Sequence, residues 1–256
     1  MLLLLLLGLP AVAPAGEAIP AGETQPEVMR TVFADHETMH FAISWTGGIK
    51  IGDLYLELRK SAGDVYEIRA RVTDFGLFRL FYPVDDLFVT QVRGPAKLPF
   101  RYDVLQREGR GRVTRRLSLY DQEELTVTYR KNEEPEQFFS IAGPVHNEFS
   151  SFFATRTMRL AVGESFMVPT FADRKRNEVK VDVRGREDLD SPFGRVRTIA
   201  VMPIMKFRGL YDKEGDTVIW LTDDRCRVPV RIRSRILIGS LTADLESYDN
   251  PACEAY

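Results

Sequence analysis

The sequence has little of what metal and nucleic-acid proteins usually need. It contains two cysteines and three histidines among 256 residues, so few strong ligands for zinc are available. Its formal net charge is −2, which argues against a nucleic-acid binder driven by bulk positive charge. No Gly-rich phosphate loop and no Gly-x-Ser-x-Gly motif occurs. The sequence therefore predicts no catalytic residue and no cofactor.

Long hydrophobic runs are also missing, except at the start. Leu2 to Leu7 form an apolar run, and the small residues between Ala11 and Ala15 offer cleavage sites. This pattern predicts a signal peptide over residues 1–15, because the run is far shorter than the ~20 residues of a membrane-spanning helix. No cysteine follows the cleavage region, so we expect a periplasmic protein that is not a lipoprotein and has no transmembrane segment in its mature chain.

What the sequence does have is period-two alternation. In EVKVDVRG, for example, Val179, Val181 and Val183 fall on one face and charged residues fall on the other. About a dozen such segments, separated by turn residues, predict an all-β fold with minor α content: a large curved antiparallel sheet, half-barrel or barrel-like. Residues 16–30, rich in Gly, Pro and Glu, are expected to be a flexible leader before a single β-rich domain over residues 31–256.

One segment has helical spacing instead. In NEFSSFFATRT, Phe149, Phe152 and Phe153 lie at i, i+3 and i+4, and Asn147 is placed to cap the first turn. The spacing predicts one short helix, packed on the concave side of the sheet.

The stretch HETMH spells a zinc-protease motif with His36, Glu37 and His40. That chemistry needs a helix, which brings both histidines to one metal. Here Met39 and Phe41 alternate with polar neighbours, which favours a strand, and in a strand the two histidines stand roughly 13 Å apart. We therefore predict no metal site. His36 and His40 remain weak metal candidates, and a zinc hydrolase remains the least favoured alternative.

Two sets of side chains are candidates for ligand binding. The first consists of aromatic residues that could line a cleft, namely Trp45, Phe149, Phe152 and Trp220. The second is a row of arginines expected on one face of a strand, Arg225, Arg227, Arg231, Arg233 and Arg235, of which Arg231 and Arg233 are the binding candidates. Such a row either grips phosphate or carboxylate groups or is a solvated face paired with acidic residues on neighbouring strands.

The two cysteines, Cys226 and Cys253, leave two alternatives open. In an oxidising compartment they can form a disulfide bond, or they can remain two buried thiols. The sequence does not supply the distance that decides between them.

Several stretches, taken in order, carry a family resemblance. They are FAISWTGGIKIGDLYLEL, NEFSSFFATRTMRLAVGESF, DLDSPFGRVRT and VIWLTDDRCRVPVRIRSRILIGSLTADL. Together, over roughly residues 33–248, they resemble the bacterial exported family catalogued as domain of unknown function 3108. The closing block, with Trp220, Asp223, Asp224, Pro229 and Gly239, is the most specific part. The resemblance implies a β-rich fold with a large curved antiparallel sheet, and it carries over no catalytic residue.

These observations lead to two main functional hypotheses. The first is an exported periplasmic protein that binds a hydrophobic or amphiphilic, lipid-like envelope molecule. The second is an interaction or assembly factor that recognises another envelope protein without a small ligand.

Overall fold

The computed structural model describes residues 19–76, 78–109, 111–204, 217–236, 239–254 and 256. The expected signal peptide, residues 1–15, lies outside these ranges. The described residues form three short helices and fourteen strands. The helices are α1 (Pro26–Val32), α2 (Phe78–Phe81) and α3 (Glu148–Thr157). The strands are β1 (His36–Trp45), β2 (Ile49–Ala62), β3 (Val65–Asp74), β4 (Asp85–Arg93), β5 (Leu98–Glu108), β6 (Arg112–Asp121), β7 (Thr126–Lys131), β8 (Gln137–Ser140), β9 (Ser165–Ala172), β10 (Lys175–Ser191), β11 (Gly194–Ile204), β12 (Thr217–Thr222), β13 (Pro229–Arg235) and β14 (Ser240–Asp249).

All fourteen strands belong to one antiparallel sheet, in the order β8-β7-β6-β5-β4-β3-β2-β1-β14-β13-β12-β11-β10-β9. Two meanders make up this order, β1 to β8 and β9 to β14, and in each of them consecutive strands are neighbours in the sheet. The meanders meet where β1 pairs with β14, with Met39 opposite Tyr248 and Trp45 opposite Leu241. Within the described residues β8 and β9 do not pair, so the sheet is not closed.

Elements far apart in the strand order touch each other, which shows that the sheet is strongly curved. Phe171 of β9 packs edge-on against Tyr120 of β6 at 6.1 Å between ring centroids, and it also contacts Phe139 of β8. Helix α3 contacts β9 as well as β3 and β4. The two ends of the sheet therefore face each other around α3, and the prediction of a curved, half-barrel antiparallel sheet is confirmed.

Helix α3 packs on the concave side, as its phenylalanine spacing predicted. Asn147 caps it: its Oδ1 accepts from the backbone N–H of Ser150 at 2.9 Å, and Ser150 Oγ accepts from the Asn147 N–H at 2.9 Å. Phe153 is fully buried in the largest core cluster, where it meets Phe33 from the end of α1. The helix therefore fills the middle of the half-barrel with side chains.

The N-terminal segment is part of this packing. Residues 20–22 run along the free edge of β9, where Met167 N–H donates to the Pro20 carbonyl at 2.9 Å. Residues 26–30 of the expected leader lie in α1, whose Val28 and Val32 are buried in the core. The packed part of the chain therefore begins before residue 31. In the described residues no helix has the length and apolar character needed to cross a membrane.

The C-terminal segment is fixed to the sheet by a disulfide bond. Cys226, just before β13, is bonded to Cys253, and their Cα atoms are 5.9 Å apart. Both cysteines are almost completely buried. Of the two alternatives that the sequence left open, the structure has the disulfide.

Candidate functional site

The zinc-like motif lies in a strand. All of HETMH belongs to β1, so His36 and His40 lie on one face of the sheet and Glu37 lies on the other. His36 Nε2 is 2.8 Å from Asp249, whereas His40 Nε2 is 2.7 Å from Asp53. The two histidines therefore contact different carboxylates and do not share one ligand position.

Glu37 has a structural role instead of that of a general base. Its two carboxylate oxygens accept from the guanidinium of Arg156 in α3 at 2.6 and 2.8 Å, and both side chains are completely buried. Tyr248 donates its hydroxyl to the same carboxylate, and Arg156 also donates to the carbonyl oxygen of Arg227. The motif's acidic residue therefore ties β1 to α3 and to the loop before β13.

On the opposite face, His40, Asp53 and Glu246 place one potential metal-ligating atom each within 4.8 Å of one another. However, the Lys50 ammonium is 2.8 Å from Asp53 and 3.8 Å from Glu246. The His40 ring uses one nitrogen toward each carboxylate and stacks on Tyr55 at 4.5 Å. The lysine ammonium already pairs with both carboxylates, so the arrangement is that of an ion network.

Three of the four aromatic candidates, Phe149, Phe152 and Trp220, pack against the same core cluster, but each has different direct partners. Phe149 packs against Phe88 at 5.1 Å between ring centroids, and Phe152 packs against Phe153 at 5.5 Å. Trp220 donates its indole N–H to Glu187. Trp45 lies at the end of β1, opposite Ile49 and Leu241. Their role in ligand binding stays a prediction.

The arginine row is shorter than its spacing indicated. Arg231, Arg233 and Arg235 alternate along β13, and Arg231 pairs with Asp244 on β14. Arg227 lies before the strand, with a positive φ of 47°, and is buried beside Asp223. A turn set by Asp224, whose Oδ1 accepts from the backbone N–H groups of Cys226 and Arg227, breaks the alternation that the sequence suggested.

Strand β6 reverses the usual pattern of a half-buried strand. In RVTRRLSLYD, Val113 and Leu119 face outward and are about 40% exposed, at 41% and 40%. Arg116, Ser118 and Tyr120 face the concave side, where Ser118 and Tyr120 are buried. The sequence contains a signal for this face, three polar residues of one parity, but alternation alone assigns the apolar parity to the interior.

The inward polar face of β6 lines a cavity that sequence reasoning missed. Its volume is about 90 Å³, and it lies between β5 to β7, the first turn of α3 and the turn between β9 and β10. A cavity of this size holds several water molecules or one small functional group of a ligand, since one water needs roughly 10–15 Å³. The lining residues are Tyr102, Val104, Arg116, Ser118, Tyr120, Tyr129, Glu148, Phe171, Ala172, Asp173 and Arg174.

The cavity opens into a polar groove of about 290 Å³ along β5 to β7. Arg116, Tyr129 and Arg174 line both spaces, so they form the boundary between them. The groove adds two cations, Arg112 and Lys131. It also has two acids, Glu108 and Glu134, the second of which is 3.8 Å from the Lys131 ammonium.

Burial around the cavity raises the pKa of several of its side chains. Desolvation, followed by the negative charge of Glu148, raises the pKa of the Tyr102 and Tyr120 hydroxyls well above its usual value. Glu148 lies at the start of α3 and is partly solvent-exposed, yet loss of hydration among the surrounding protein atoms raises the pKa of its carboxyl too. The tyrosines are therefore neutral hydroxyls that can donate and accept hydrogen bonds.

Arg116 is the central cation of the cavity. Its Nη2 donates to Gln106 Oε1 at 3.0 Å, but its Nε is buried and has no hydrogen-bond partner among the described residues. A buried donor without an acceptor is costly and calls for an explanation such as a missing ligand or water. Within the described part of the chain, neither Arg116 nor Arg174 makes a salt bridge within 4 Å.

Comparisons with known proteins identify a family, and one solved structure supports the fold. A family model described as Protein of unknown function (DUF3108) matches residues 39–246. No curated protein matches this chain. A β-barrel-like protein of domain of unknown function DUF1849 from Brucella abortus is similar over 84% of this chain and 98% of its own, at 10% identity and a TM-score of 0.55. The hypothetical protein CT021 from Chlamydia trachomatis is 7% identical, with a TM-score of 0.42 over 93% of this chain and 97% of its own.

Proposed function

We propose that this chain, which belongs to the DUF3108 family of unknown function, is a non-enzymatic periplasmic protein that binds a small envelope molecule. The observation that supports this most directly is the cavity between β5–β7, the start of α3 and the β9–β10 turn. It is concave and combines an apolar wall, formed by Val104, Phe171 and Ala172, with polar and charged groups that converge on it, and such convergence is a feature of ligand sites.

The size of the cavity limits what can enter it. About 90 Å³ is too small for a whole acyl chain, but the adjoining groove of about 290 Å³ can take more of a ligand. An amphiphilic molecule fits this arrangement if its small polar group occupies the cavity between Tyr102, Tyr120 and Arg116. The groove is lined by polar and charged side chains, so a larger polar part of the ligand would lie along it and an apolar part would extend beyond it.

Export to the periplasm is supported by the leucine-rich start of the sequence and by the disulfide. The bond between Cys226 and Cys253 is stable in oxidising compartments such as the periplasm and is uncommon in the cytosol. The disulfide-bonded segment is also tied to the helix on the concave side of the sheet, since Arg156 of α3 donates to the carbonyl of Cys226.

Native mass spectrometry of the protein purified from envelope extract tests this proposal. We expect a bound small molecule on the wild type and on Leu119→Phe, which adds bulk to the outward face of β6. Ser118→Phe fills the cavity and should lose that molecule, while circular dichroism confirms that both variants fold. A bare wild-type chain would overturn the proposal, and a ligand retained by Ser118→Phe would place binding elsewhere.

A second candidate function, recognition of another envelope protein, is favoured by the edge strand β8. It pairs with β7 on one side, and among the described residues no strand covers its other side. Phe138 on this strand is 75% exposed. Exposed edges of this kind accept an added strand from a partner. A photo-crosslinker at position 138, with Val113 as the outward-facing control position, should then link one identified partner in cells.

A further inference from the structure

We propose that the cavity binds an oxyanion, a carboxylate or phosphate group of the ligand, between the guanidinium groups of Arg116 and Arg174. This inference rests on the proposed function and names the chemistry of its ligand. Guanidinium groups have planar, paired donors that match the geometry of carboxylate and phosphate oxygens. The structural support has three parts.

The first part is the unused hydrogen-bonding capacity of Arg116. Its side chain comes from the inward face of β6, where an aliphatic residue would normally contribute to the core. Its Nε is buried and unpartnered among the described residues, although Gln106 holds the Nη2 end of the group in place. An oxygen atom of a ligand in the cavity is the missing acceptor.

The second part is the conformation of Arg174. Asp173 and Arg174 form the two-residue turn between β9 and β10, since Ala172 pairs with Lys175 on either side. Both have positive φ, 51° and 62°. Asp tolerates this left-handed region, but a long side chain such as Arg does so at a cost, and glycine or asparagine is the usual choice in such a turn. Arg174 has this backbone conformation at a solvent-exposed position where its side chain lines both cavity and groove.

The third part is the balance of charges around the two arginines. Glu148 and Asp173 also line the cavity, yet no salt bridge within 4 Å joins either of them to Arg116 or Arg174 in the described structure. Elsewhere the surface charges are extensively paired, as between Arg186 and Asp223 at 2.6 Å. Loss of hydration raises the pKa of the Glu148 carboxyl, which is hydrogen-bonded to the Tyr102 hydroxyl, and the Tyr120 hydroxyl is a further neutral polar group in the same space. A ligand anion would therefore meet two guanidinium groups that, among the described residues, form no salt bridge with the two acids of the cavity, Glu148 and Asp173.

The test measures binding of two simple probes, inorganic phosphate and acetate, by isothermal titration calorimetry. Sodium chloride at matched ionic strength controls for screening, which weakens any nonspecific attraction. We expect saturable binding of at least one probe to the wild type and to Arg115→Gln, whose side chain lies on the outward face of the same strand. Preference for one probe identifies whether the site suits phosphate or carboxylate.

Two variants separate binding from folding. Arg116→Gln and Arg174→Asn should each weaken probe binding by about tenfold or more, the usual effect of removing a charge-assisted hydrogen bond. Arg174→Asn should leave the melting temperature of the unliganded protein unchanged or raise it, because Asn adopts positive φ more readily. A structural role for Arg174 predicts the opposite, a lower melting temperature, and that result would overturn our explanation of its conformation.

The outcomes also separate this inference from the proposed function. A wild-type protein that carries an uncharged or cationic molecule from the envelope, and binds neither probe, refutes the oxyanion inference and leaves the binding function intact. Absence of both a co-purified molecule and probe binding refutes the two together. Equal probe binding by the wild type and Arg116→Gln would also overturn the inference.

Discussion

His146 should make the stability of this protein depend on pH in a specific window. The residue lies just before α3, and its backbone joins β9: its N–H donates to the Pro169 carbonyl at 2.8 Å, and its carbonyl accepts from Phe171 at 2.7 Å. The side chain is 7% exposed, and its Nδ1 is 3.3 Å from Ser150 Oγ. Burial lowers the pKa of this imidazole from 6.5 to about 4.

The sign of the effect follows from which form each state prefers. The folded protein holds His146 neutral, whereas the unfolded chain protonates it below about pH 6.5. The stabilisation that depends on a neutral His146 is therefore complete above pH 6.5 and is lost as the pH falls toward 4. The full difference between the two pKa values corresponds to about 3 kcal/mol, at roughly 1.4 kcal/mol per pKa unit. Between pH 7 and pH 4.5 we expect a loss of about 2 to 2.5 kcal/mol.

The assay is urea unfolding of the wild type and of His146→Gln at pH 7 and pH 4.5. Gln cannot titrate, and the backbone hydrogen bonds to β9 do not depend on the side chain, so the variant should lack this part of the loss. His36→Gln, which removes the partly exposed histidine beside Asp249, should keep it.

Other titrating groups do not obscure the comparison. Burial opposes ionisation of Asp182, but its hydrogen bond from Lys180 lowers the pKa below the usual 3.8, so its stabilisation is lost below this window. The carboxyl of Glu148 is shared by both variants and cancels between them. If His146→Gln lost as much stability as the wild type between pH 7 and pH 4.5, the assignment of a buried neutral imidazole would be wrong.

Two further predictions concern the base of the half-barrel. Arg156→Met leaves the Glu37 carboxylate buried without its partner, and we expect a loss of about 3 to 5 kcal/mol in urea unfolding; restoration by adding Glu37→Gln would confirm that the unpaired charge is the cause, and a loss below 1 kcal/mol would contradict it. Reducing the bond between Cys226 and Cys253, which are separated by 27 residues, should cost about 3.5 kcal/mol through loop-closure entropy. Identical unfolding midpoints with and without reductant would refute that estimate.

The fold could be predicted from the sequence wherever burial follows local alternation. On β10, Val179, Val181 and Val183 face the protein core, as their spacing indicated, because their charged neighbours on the opposite face of the strand are hydrated. The helix cap at Asn147 was also predictable, since a capping side chain acts on an amide three residues away. Both signals are local, and neither needs knowledge of distant strands.

The candidate site could not be predicted, because its parts meet only through the curvature of the sheet. Tyr102, Arg116 and Arg174 come from β5, from β6 and from the turn after β9, which lie near opposite ends of the strand order. On β6 local alternation was also misleading, because the apolar Leu119 faces outward. The polar parity of Arg116 and Ser118 has meaning only once the facing strand is known.

The prediction that five arginines share one face of a strand was wrong for a related reason. Alternation carried through Arg227 to Arg231 requires an unbroken strand, but the Asp224 turn and the positive φ of Arg227 interrupt it. A single turn shifts the parity of every residue before it. The buried Arg156, which the sequence did not single out, illustrates the same limit, because its partner Glu37 lies in a different part of the chain.

The pairing of β1 with β14 has a consequence for how the chain folds as it emerges. Strands β2 to β8 can pair as successive hairpins soon after they are made, but β1 keeps one edge unpaired until β14 has been synthesised. During that interval β1, with its apolar Met39 and Phe41, is an exposed template for other chains. A chain interrupted before β14 is therefore expected to keep this edge of β1 free and to aggregate through it.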